Sequence, residues 1–161
     1  MARAKLNLVD MELGQNWRDG PLQARPGFLI RRLHQIHTAL FNDECGSEGV
    51  TPIMYSVLSV LAKTGSIDQS TLSQAVSIDK TNMADVLERL HKHGYVHRRK
   101  STKDRRVRLT TLTENGKALL DRLDKRAEEA HIRTLEDLNA NEQAVLLALM
   151  NKIITAKTPT V

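Results

Sequence analysis

Positive charge is concentrated in one stretch of the chain. Residues 77–113 hold ten lysines and arginines and four acidic residues, a net charge of +6, whereas the rest of the 161-residue chain sums to −1. Clustered ammonium and guanidinium groups attract phosphate oxygens and hydrogen-bond to them. The stretch therefore predicts a phosphate-binding face, and a run of charges that is merely solvated is the alternative.

A short motif stands inside this stretch: Asp104-Arg105-Arg106, then five residues, then Leu112-Thr113, or D-x-R-x5-L-T. Arginine fits the narrow, electronegative minor groove of A·T-rich DNA. The carboxylate of Asp104 can hold the guanidinium of Arg106, or of Arg105, in a fixed orientation. The motif thus suits a loop that contacts duplex DNA.

Two short helices are predicted just before this loop. Asp68 is a suitable N-cap for the first, which turns Leu72 inward, and Asp79 caps the second, which ends at Gly94. The outward face of the second helix carries side chains that can reach a base edge or a phosphate. These are Lys80, Thr81, Asn82, Asp85 and Arg89.

Polar and apolar residues alternate on both sides of the charged loop. Residues 95–99 and 107–112 are therefore predicted to form two antiparallel strands, with the basic residues 100–106 at the tip of the hairpin. Thr51-Pro52 is a further helix start, with a hydroxyl N-cap and proline at the first helical position.

Three longer apolar segments flank this central part. Pro26 opens a helix that runs to about residue 43, Thr113 opens another, and Asn139 with Glu142 forms a capping box before the last. Gly116 is expected to weaken its helix only modestly. The helices at 26–44, 116–136 and 140–156 are more apolar than a small core requires, which predicts that they form a dimer interface together with the arm 1–25, including Trp17.

Helix pair, basic hairpin and D-x-R-x5-L-T motif together resemble the multiple antibiotic resistance regulator (MarR) family over residues 26–155. The Gly94-Tyr95-Val96 step and the two terminal helices also match. The resemblance implies a mainly α fold with a β-hairpin wing, namely a winged helix-turn-helix at 51–113 between dimerisation helices at 26–50 and 114–161. It also implies a homodimeric transcription factor, commonly a repressor, that binds a palindromic operator and releases it on binding a small molecule.

In this resemblance Arg106 is the arginine of the minor groove and Asp104 its brace. Many relatives carry a further aspartate and arginine upstream, where this chain has Ser101 and Lys103. On the recognition helix, Thr81 could meet a thymine methyl group, Asn82 adenine, and Lys80 guanine or phosphate. Phosphate contacts are expected from the remaining basic and hydroxyl side chains, with capping or solvation as the alternative for the hydroxyls. They are Ser70, Thr71, Ser73, Arg89, Arg98, Arg99, Lys100, Lys103 and Arg105.

An organic effector is expected between the DNA-binding lobe and the dimerisation helices, where apolar walls and one or two cations suit an aromatic acid. The opening 25–32, Arg-Pro-Gly-Phe-Leu-Ile-Arg-Arg, resembles a subgroup that controls the catabolism of aromatic or heteroaromatic carboxylates or their coenzyme A thioesters. Packing and solvation are the alternative roles of the candidate lining residues. These are Arg31, Arg32, His34, His37, Met54, Tyr55 and Leu58.

Metal sensing through the histidines and peroxide sensing through Cys45 are weaker alternatives within the family. No carboxylate-flanked histidine cluster supports a metal site strongly, and Cys45 lies at the end of the first helix, whereas the family's sensor cysteines lie near its start. Neither a metal site nor a cofactor is therefore predicted.

Other classes of protein are less compatible with the sequence. One cysteine excludes an intrachain disulfide framework, and 3% aromatic residues exclude a stacking platform for single-stranded nucleic acid. No catalytic constellation marks an enzyme. A constitutive architectural DNA-binding protein is the main alternative, and a bacterial cytoplasmic, nucleoid-associated protein without membrane contact is expected.

Overall fold

Helices and three short strands make up the described part of the chain. The structure is a computed structural model that describes residues 17–102, 104 and 106–157. A short 3₁₀ turn, Leu22–Ala24, precedes the first helix. The elements are α1 Pro26–Cys45, α2 Pro52–Thr64, β1 Ser66–Asp68, α3 Gln69–Ala75, α4 Lys80–Lys92, β2 Val96–Lys100, β3 Arg108–Leu112, α5 Glu114–Leu135 and α6 Ala140–Lys157.

The helix starts that the sequence predicts are confirmed by their caps. The Thr51 hydroxyl accepts from the backbone N–H of Met54 at the start of α2. Asp68 and Asp79 each accept from two backbone N–H groups at the starts of α3 and α4. At α6, the carboxylate of Glu142 accepts from the Asn139 N–H and completes the capping box.

The predicted hairpin is present, but it belongs to a three-stranded sheet with the order β1-β3-β2. β1 pairs antiparallel with β3, so that Ile67 lies opposite Thr110, and Arg98 of β2 lies opposite Thr110 from the other side. The expectation of two strands was therefore incomplete. A three-residue strand of sequence Ser-Ile-Asp is too short to show an alternating pattern.

One hydrophobic core supports α4 and the sheet. Met83, Leu87 and Leu90 on the inner face of α4 are fully buried. They belong to the same core as apolar side chains of α1, α2, β2 and α5. This core holds α4 and the sheet in place. Residues 51–113, which contain both, are called here the central lobe.

The start of α5 is joined tightly to the end of α4. The Thr113 hydroxyl caps α5 at Gly116 and also donates to the Gly94 carbonyl, 2.7 Å away, while the Thr113 N–H donates to the Tyr95 carbonyl. A Cβ at Gly116 would overlap the Tyr95 carbonyl oxygen. Glycine is therefore required by this close approach, which the expectation of a modestly weakened helix did not include.

The helices α1, α5 and α6 form a second region, called here the helical layer. α1 packs along α5, whereas none of the α6 residues, all of which the structure describes, is buried. No described helix is long and apolar enough to cross a bilayer. The layer leaves large apolar side chains exposed: Leu29, Ile30, Ile36, Ile132, Val145, Leu147, Leu149, Met150, Ile153 and Ile154.

Candidate nucleic-acid interface and apolar cavity

The first turn of α4 presents its polar side chains to solvent. Lys80, Thr81 and Asn82 are exposed, as are Asp85 and Arg89 farther along the helix. Hydrogen bonds from the backbone N–H and the side chain of Asn82, and from the Thr81 N–H, keep the pKa of Asp79 below its usual value. The ionised cap fixes the beginning of α4.

The wing loop shows a brace between Asp104 and Arg106. The Asp104 carboxylate accepts from the Arg106 backbone N–H at 2.9 Å and lies 3.4 Å from its Nε. The Arg106 side chain is 92% exposed, so its guanidinium is free to leave the brace for a larger anion. The predicted contacts Lys103 and Arg105 lie outside the described residues.

Basic residues on the wing strand β2 do not all face outward. Arg99 and Lys100 are exposed, but Arg98 is half-buried and its Nη2 donates to Oε1 of Gln69 at 2.9 Å. Arg98, predicted as a phosphate contact, therefore has a partner inside the lobe.

The hydroxyl groups of α3 also differ in whether they face solvent or have a partner within the lobe. Ser70 is exposed, whereas the Thr71 hydroxyl donates to the Asp68 carboxylate at 2.6 Å. Ser73 is buried, so its predicted phosphate contact is wrong. Ser73 follows Leu72, and both are buried in the lobe.

The start of α3, the start of α4 and the wing share one surface. A cleft of about 320 Å³ is lined by Gln69 and Ser70 from α3 and by Arg106 and Arg108 from the wing. Gln69 also donates to the carbonyl of Lys80, the first residue of α4. This surface combines a helix that fits the major groove with an exposed arginine that fits the minor groove.

A larger cavity, about 1380 Å³, lies in the helical layer and is open on one side. Its walls come from α1, α5 and α6 and are mostly apolar. The polar groups among them are few and are clustered on α1 and α5. The lining residues are Gln23, Phe28, Leu29, Ile30, Arg32, Leu33, His34, Ile36, His37, His131, Thr134, Leu135, Leu146, Leu147 and Met150.

Two stacked histidines form the polar corner of this cavity. The His37 and His131 rings lie 4.9 Å apart and 18° from parallel. The Thr134 hydroxyl donates to the Ala130 carbonyl, so its oxygen accepts from Nδ1 of His37 at 2.9 Å. Burial, followed by the charges of His131 and His34, lowers the pKa of His37. The neutral His37 ring is thereby favoured.

The residues predicted for the effector site are divided between two places. Arg32, His34 and His37 line the cavity. Arg31 instead lies over the Phe28 ring, with its guanidinium carbon 5.1 Å from the ring centre. The other three do not line the cavity: Met54 and Leu58 are fully buried in the core, and the Tyr55 hydroxyl donates to Asp124.

The cavity also contains polar residues that were not predicted, His131 and Thr134 of α5. They lie about a hundred positions after His34 in the sequence, and no local pattern joins them to it. Their meeting depends on the packing of α1 along α5. Only the residue type of His131 could have drawn attention to it.

Cys45 and the histidines give little support to redox or metal sensing. Cys45 is fully buried at the end of α1, and burial raises the pKa of its thiol, which disfavours the reactive thiolate. Within 17–102, 104 and 106–157, no three His, Cys, Asp or Glu side chains are grouped so that they could hold a metal ion.

Comparisons with known proteins agree with this architecture. The MarR family model matches residues 50–107. The transcriptional repressor NicR of Pseudomonas putida is 32% identical over 128 residues, 80% of this chain and 81% of its own.

Two solved structures are similar over nearly their whole length. One is Streptomyces coelicolor PcaV in complex with its natural ligand, 33% identical, with a TM-score of 0.80, covering 86% of this chain and 98% of PcaV. The other concerns the regulation of DNA binding of Bordetella bronchiseptica BpsR by 6-hydroxynicotinic acid. It is 28% identical with a TM-score of 0.80 and covers 87% of this chain and all of BpsR.

Proposed function

The chain belongs to the MarR family of transcriptional regulators, and on that basis we propose that it is a homodimeric repressor of a catabolic operon that an aromatic acid or its thioester releases from DNA. The protein is a regulator and not an enzyme. Its cytoplasmic, nucleoid-associated location follows from this proposal, because such a protein acts on chromosomal DNA.

One observation carries the DNA-binding part of the proposal. Gln69 lines the same cleft as the exposed Arg106 of the wing and donates to the carbonyl of Lys80 in the exposed first turn of α4. α4 would read base edges in the major groove, and Arg106 would enter the adjacent minor groove. Arg99, Lys100, Lys103 and Arg105 would add sequence-independent attraction to phosphates.

The dimer is proposed from the helical layer. α6 buries none of its residues, and Leu149 and Ile153 are more than half exposed. A continuous apolar face of this kind is stable in water when a second copy covers it. Two recognition helices related by a twofold axis, about 34 Å apart, would then match successive major grooves of a palindrome.

The effector is proposed to bind in the cavity of the layer. Arg32, His34 and His37 supply the polar groups that a carboxylate needs, and the apolar walls suit an aromatic ring. 6-Hydroxynicotinic acid, which regulates the DNA binding of BpsR, has this chemistry. Such a ligand would release DNA by preferring a dimer whose recognition helices no longer fit the operator.

DNA binding is tested without knowledge of the operator. Duplexes with a randomised 30-base-pair core are selected with the full-length protein, and the affinity of the selected sequence is compared with that of random duplex. We expect an inverted repeat, and Arg106→Ala should weaken binding to it about tenfold. Lys125→Ala on α5 removes one exposed charge outside the interface and should change affinity less than twofold.

Two results would contradict the proposal. Selection of no common sequence, with a steep salt dependence, would indicate an architectural DNA-binding protein. Unchanged operator affinity of Arg106→Ala at the same salt concentration would remove the role assigned to the wing.

The effector is tested by thermal shift and by gel shift on the selected duplex. 6-Hydroxynicotinic acid, other aromatic acids and their coenzyme A thioesters are added in turn, because a ligand that binds the folded state raises the Tm. Arg31→Gln and Arg32→Gln are compared with Lys125→Gln. The arginine that holds the carboxylate is the one whose loss abolishes both the shift and the release of DNA, and no ligand effect with any acid would contradict this part.

A further inference from the structure

The Gln69 side chain bridges the wing and the recognition helix. Its Oε1 accepts from Nη2 of Arg98 on β2 at 2.9 Å, and its Nε2 donates to the carbonyl of Lys80 on α4 at 3.3 Å. A primary amide has both a donor and an acceptor, so one side chain can serve both partners. Neither a carboxylate nor a methionine could make both bonds.

Arg98 depends on this bridge. Its guanidinium is half-buried, and among the described residues its buried Nε has no hydrogen-bond partner. The bond from Nη2 to Gln69 is therefore a main source of compensation for the lost hydration of this cation. The pKa of Glu88 on α4 is lowered mainly by its hydrogen bond and ion pair with Lys92, and the charge of Arg98 adds a smaller effect.

The position of Gln69 in the chain connects the bridge to the sheet. Gln69 follows β1, whose Asp68 lies opposite Leu109 of β3 and caps α3. The amide is thus attached to the sheet that includes the wing strands. The other end of α4 is tied to the sheet by the bond between His91 Nδ1 and the Val96 carbonyl. Gln69 supplies the corresponding tie at the end of α4 that carries Lys80, Thr81 and Asn82.

We propose that Gln69, with Arg98, is a positioning residue that fixes the first turn of α4 relative to the wing and thereby sets the preference for operator over random DNA. This inference rests on the proposed function. Specific binding requires that α4 and the wing engage two grooves at once, whereas random duplex is held by charge alone. Without the Gln69 bridge, binding of α4 in one groove no longer places the wing correctly in the other.

The test measures a ratio of affinities. Gln69→Met keeps the length of the side chain and the charge of the protein but removes both hydrogen bonds. We expect the ratio of its affinity for the duplex selected by the unaltered protein to its affinity for random duplex to fall five- to twentyfold. The matched control is Gln74→Met, the same exchange at an exposed position of the same helix.

The two neighbouring arginines provide an independent arm. Arg98→Met should lower the same ratio, and the variant with both Gln69→Met and Arg98→Met should lose little more than either alone, because both exchanges break one bridge. Arg99→Met should instead weaken both duplexes equally and reduce the salt slope by about one unit, as expected for a phosphate contact. A general loss of folding would reduce the active fraction, measured by stoichiometric titration, and leave the ratio unchanged.

Three outcomes decide the inference. A lowered ratio for Gln69→Met and Arg98→Met, but not for Gln74→Met or Arg99→Met, supports it. The inference is overturned if the affinity ratio of Gln69→Met lies within twofold of the original, or if Gln74→Met loses as much as Gln69→Met. If Gln69→Met does not fold, an unchanged ratio in Arg98→Met overturns the inference. If the unaltered protein does not distinguish its selected duplex from random DNA, the proposed function itself fails, and the inference falls with it.

Discussion

α4 and α6 are both helices with an apolar side, but only α4 finds its partners within the chain. α4 has 13 residues and buries Met83, Leu87 and Leu90, whereas α6 has 18 residues and buries none. α4 therefore packs into the core of a single copy, whereas α6 leaves its apolar side chains exposed. This difference teaches that the helix proposed to read DNA is held by the core of one copy, while its spacing from a second copy depends on a surface that only association can cover.

The close contact between the start of α5 and Tyr95, where the central lobe meets the helical layer, gives the largest expected effect on stability. Gly116→Ala would place a methyl group against the Tyr95 carbonyl, and the backbone would have to move. We expect the free energy of unfolding to fall by about 3 kcal/mol, measured by urea denaturation. Gly27→Ala in α1 meets no atom within 4 Å and should instead stabilise by about 0.5 kcal/mol. Equal effects of the two exchanges would show that this contact is not tightly packed.

A charge introduced on α6 tests the helical layer separately from the central lobe. Ile153→Glu should raise the dissociation constant of the dimer about 100-fold, equivalent to about 2.7 kcal/mol, because a carboxylate would be buried between two copies. Analytical ultracentrifugation measures this change. Thr155 is exposed and lies one turn after Asn151 and Lys152 on the polar side of α6, so Thr155→Glu should change the dissociation constant little. An unaltered constant in Ile153→Glu would exclude this face of α6 from the interface.

A milder break at the start of α5 concerns Thr113. Its hydroxyl caps α5 and also donates to the Gly94 carbonyl, so Thr113→Ala should lower the free energy of unfolding by about 1 kcal/mol. Thr113→Ser keeps the hydroxyl and should retain most of that energy. Thermal and urea unfolding compare the three proteins. A serine variant as weak as the alanine variant would assign the loss to the missing methyl group.

The smallest expected effect is a dependence on pH that originates in the layer. The pKa of His37 is lowered in the folded protein by burial and by His131 and His34, so above its unfolded value of about 6.5 its neutral form contributes fully to stability. Below that value the unfolded state binds more protons, and the contribution is lost as the pH falls through the folded pKa. Urea unfolding at pH 8 and pH 5.5 should show a smaller loss in His37→Gln. An equal loss would place the titration elsewhere.

The sequence predicts local features well and contacts between distant residues poorly. Asp68, Asp79 and Asn139 were identifiable as caps because capping involves residues two or three positions apart. The core positions of α4 followed from its helical spacing. β1 was not identifiable, because three residues show no periodicity and its pairing with β3 joins residues more than 40 positions apart.

The same limit applies to the candidate sites. The sequence identified Arg106 and Asp104 through a compact motif and recognised Arg32, His34 and His37 as polar groups on one helix. It could not show that Arg98 turns toward Gln69 or that Met54 and Leu58 are enclosed in the core. Residue type says that a side chain can meet a phosphate or a ligand, but packing decides the direction in which it points.

α5 connects the central lobe to the cavity of the helical layer as one continuous helix. Its 22 residues form a rod of about 33 Å, which Thr113 joins at one end to Gly94 after α4 and which adjoins the histidine corner of the cavity at the other. Pivoting this rod by 2° displaces its tip by about 1 Å. A shift of α5 beside His131 would therefore be transmitted along the helix to Thr113, which contacts the end of α4.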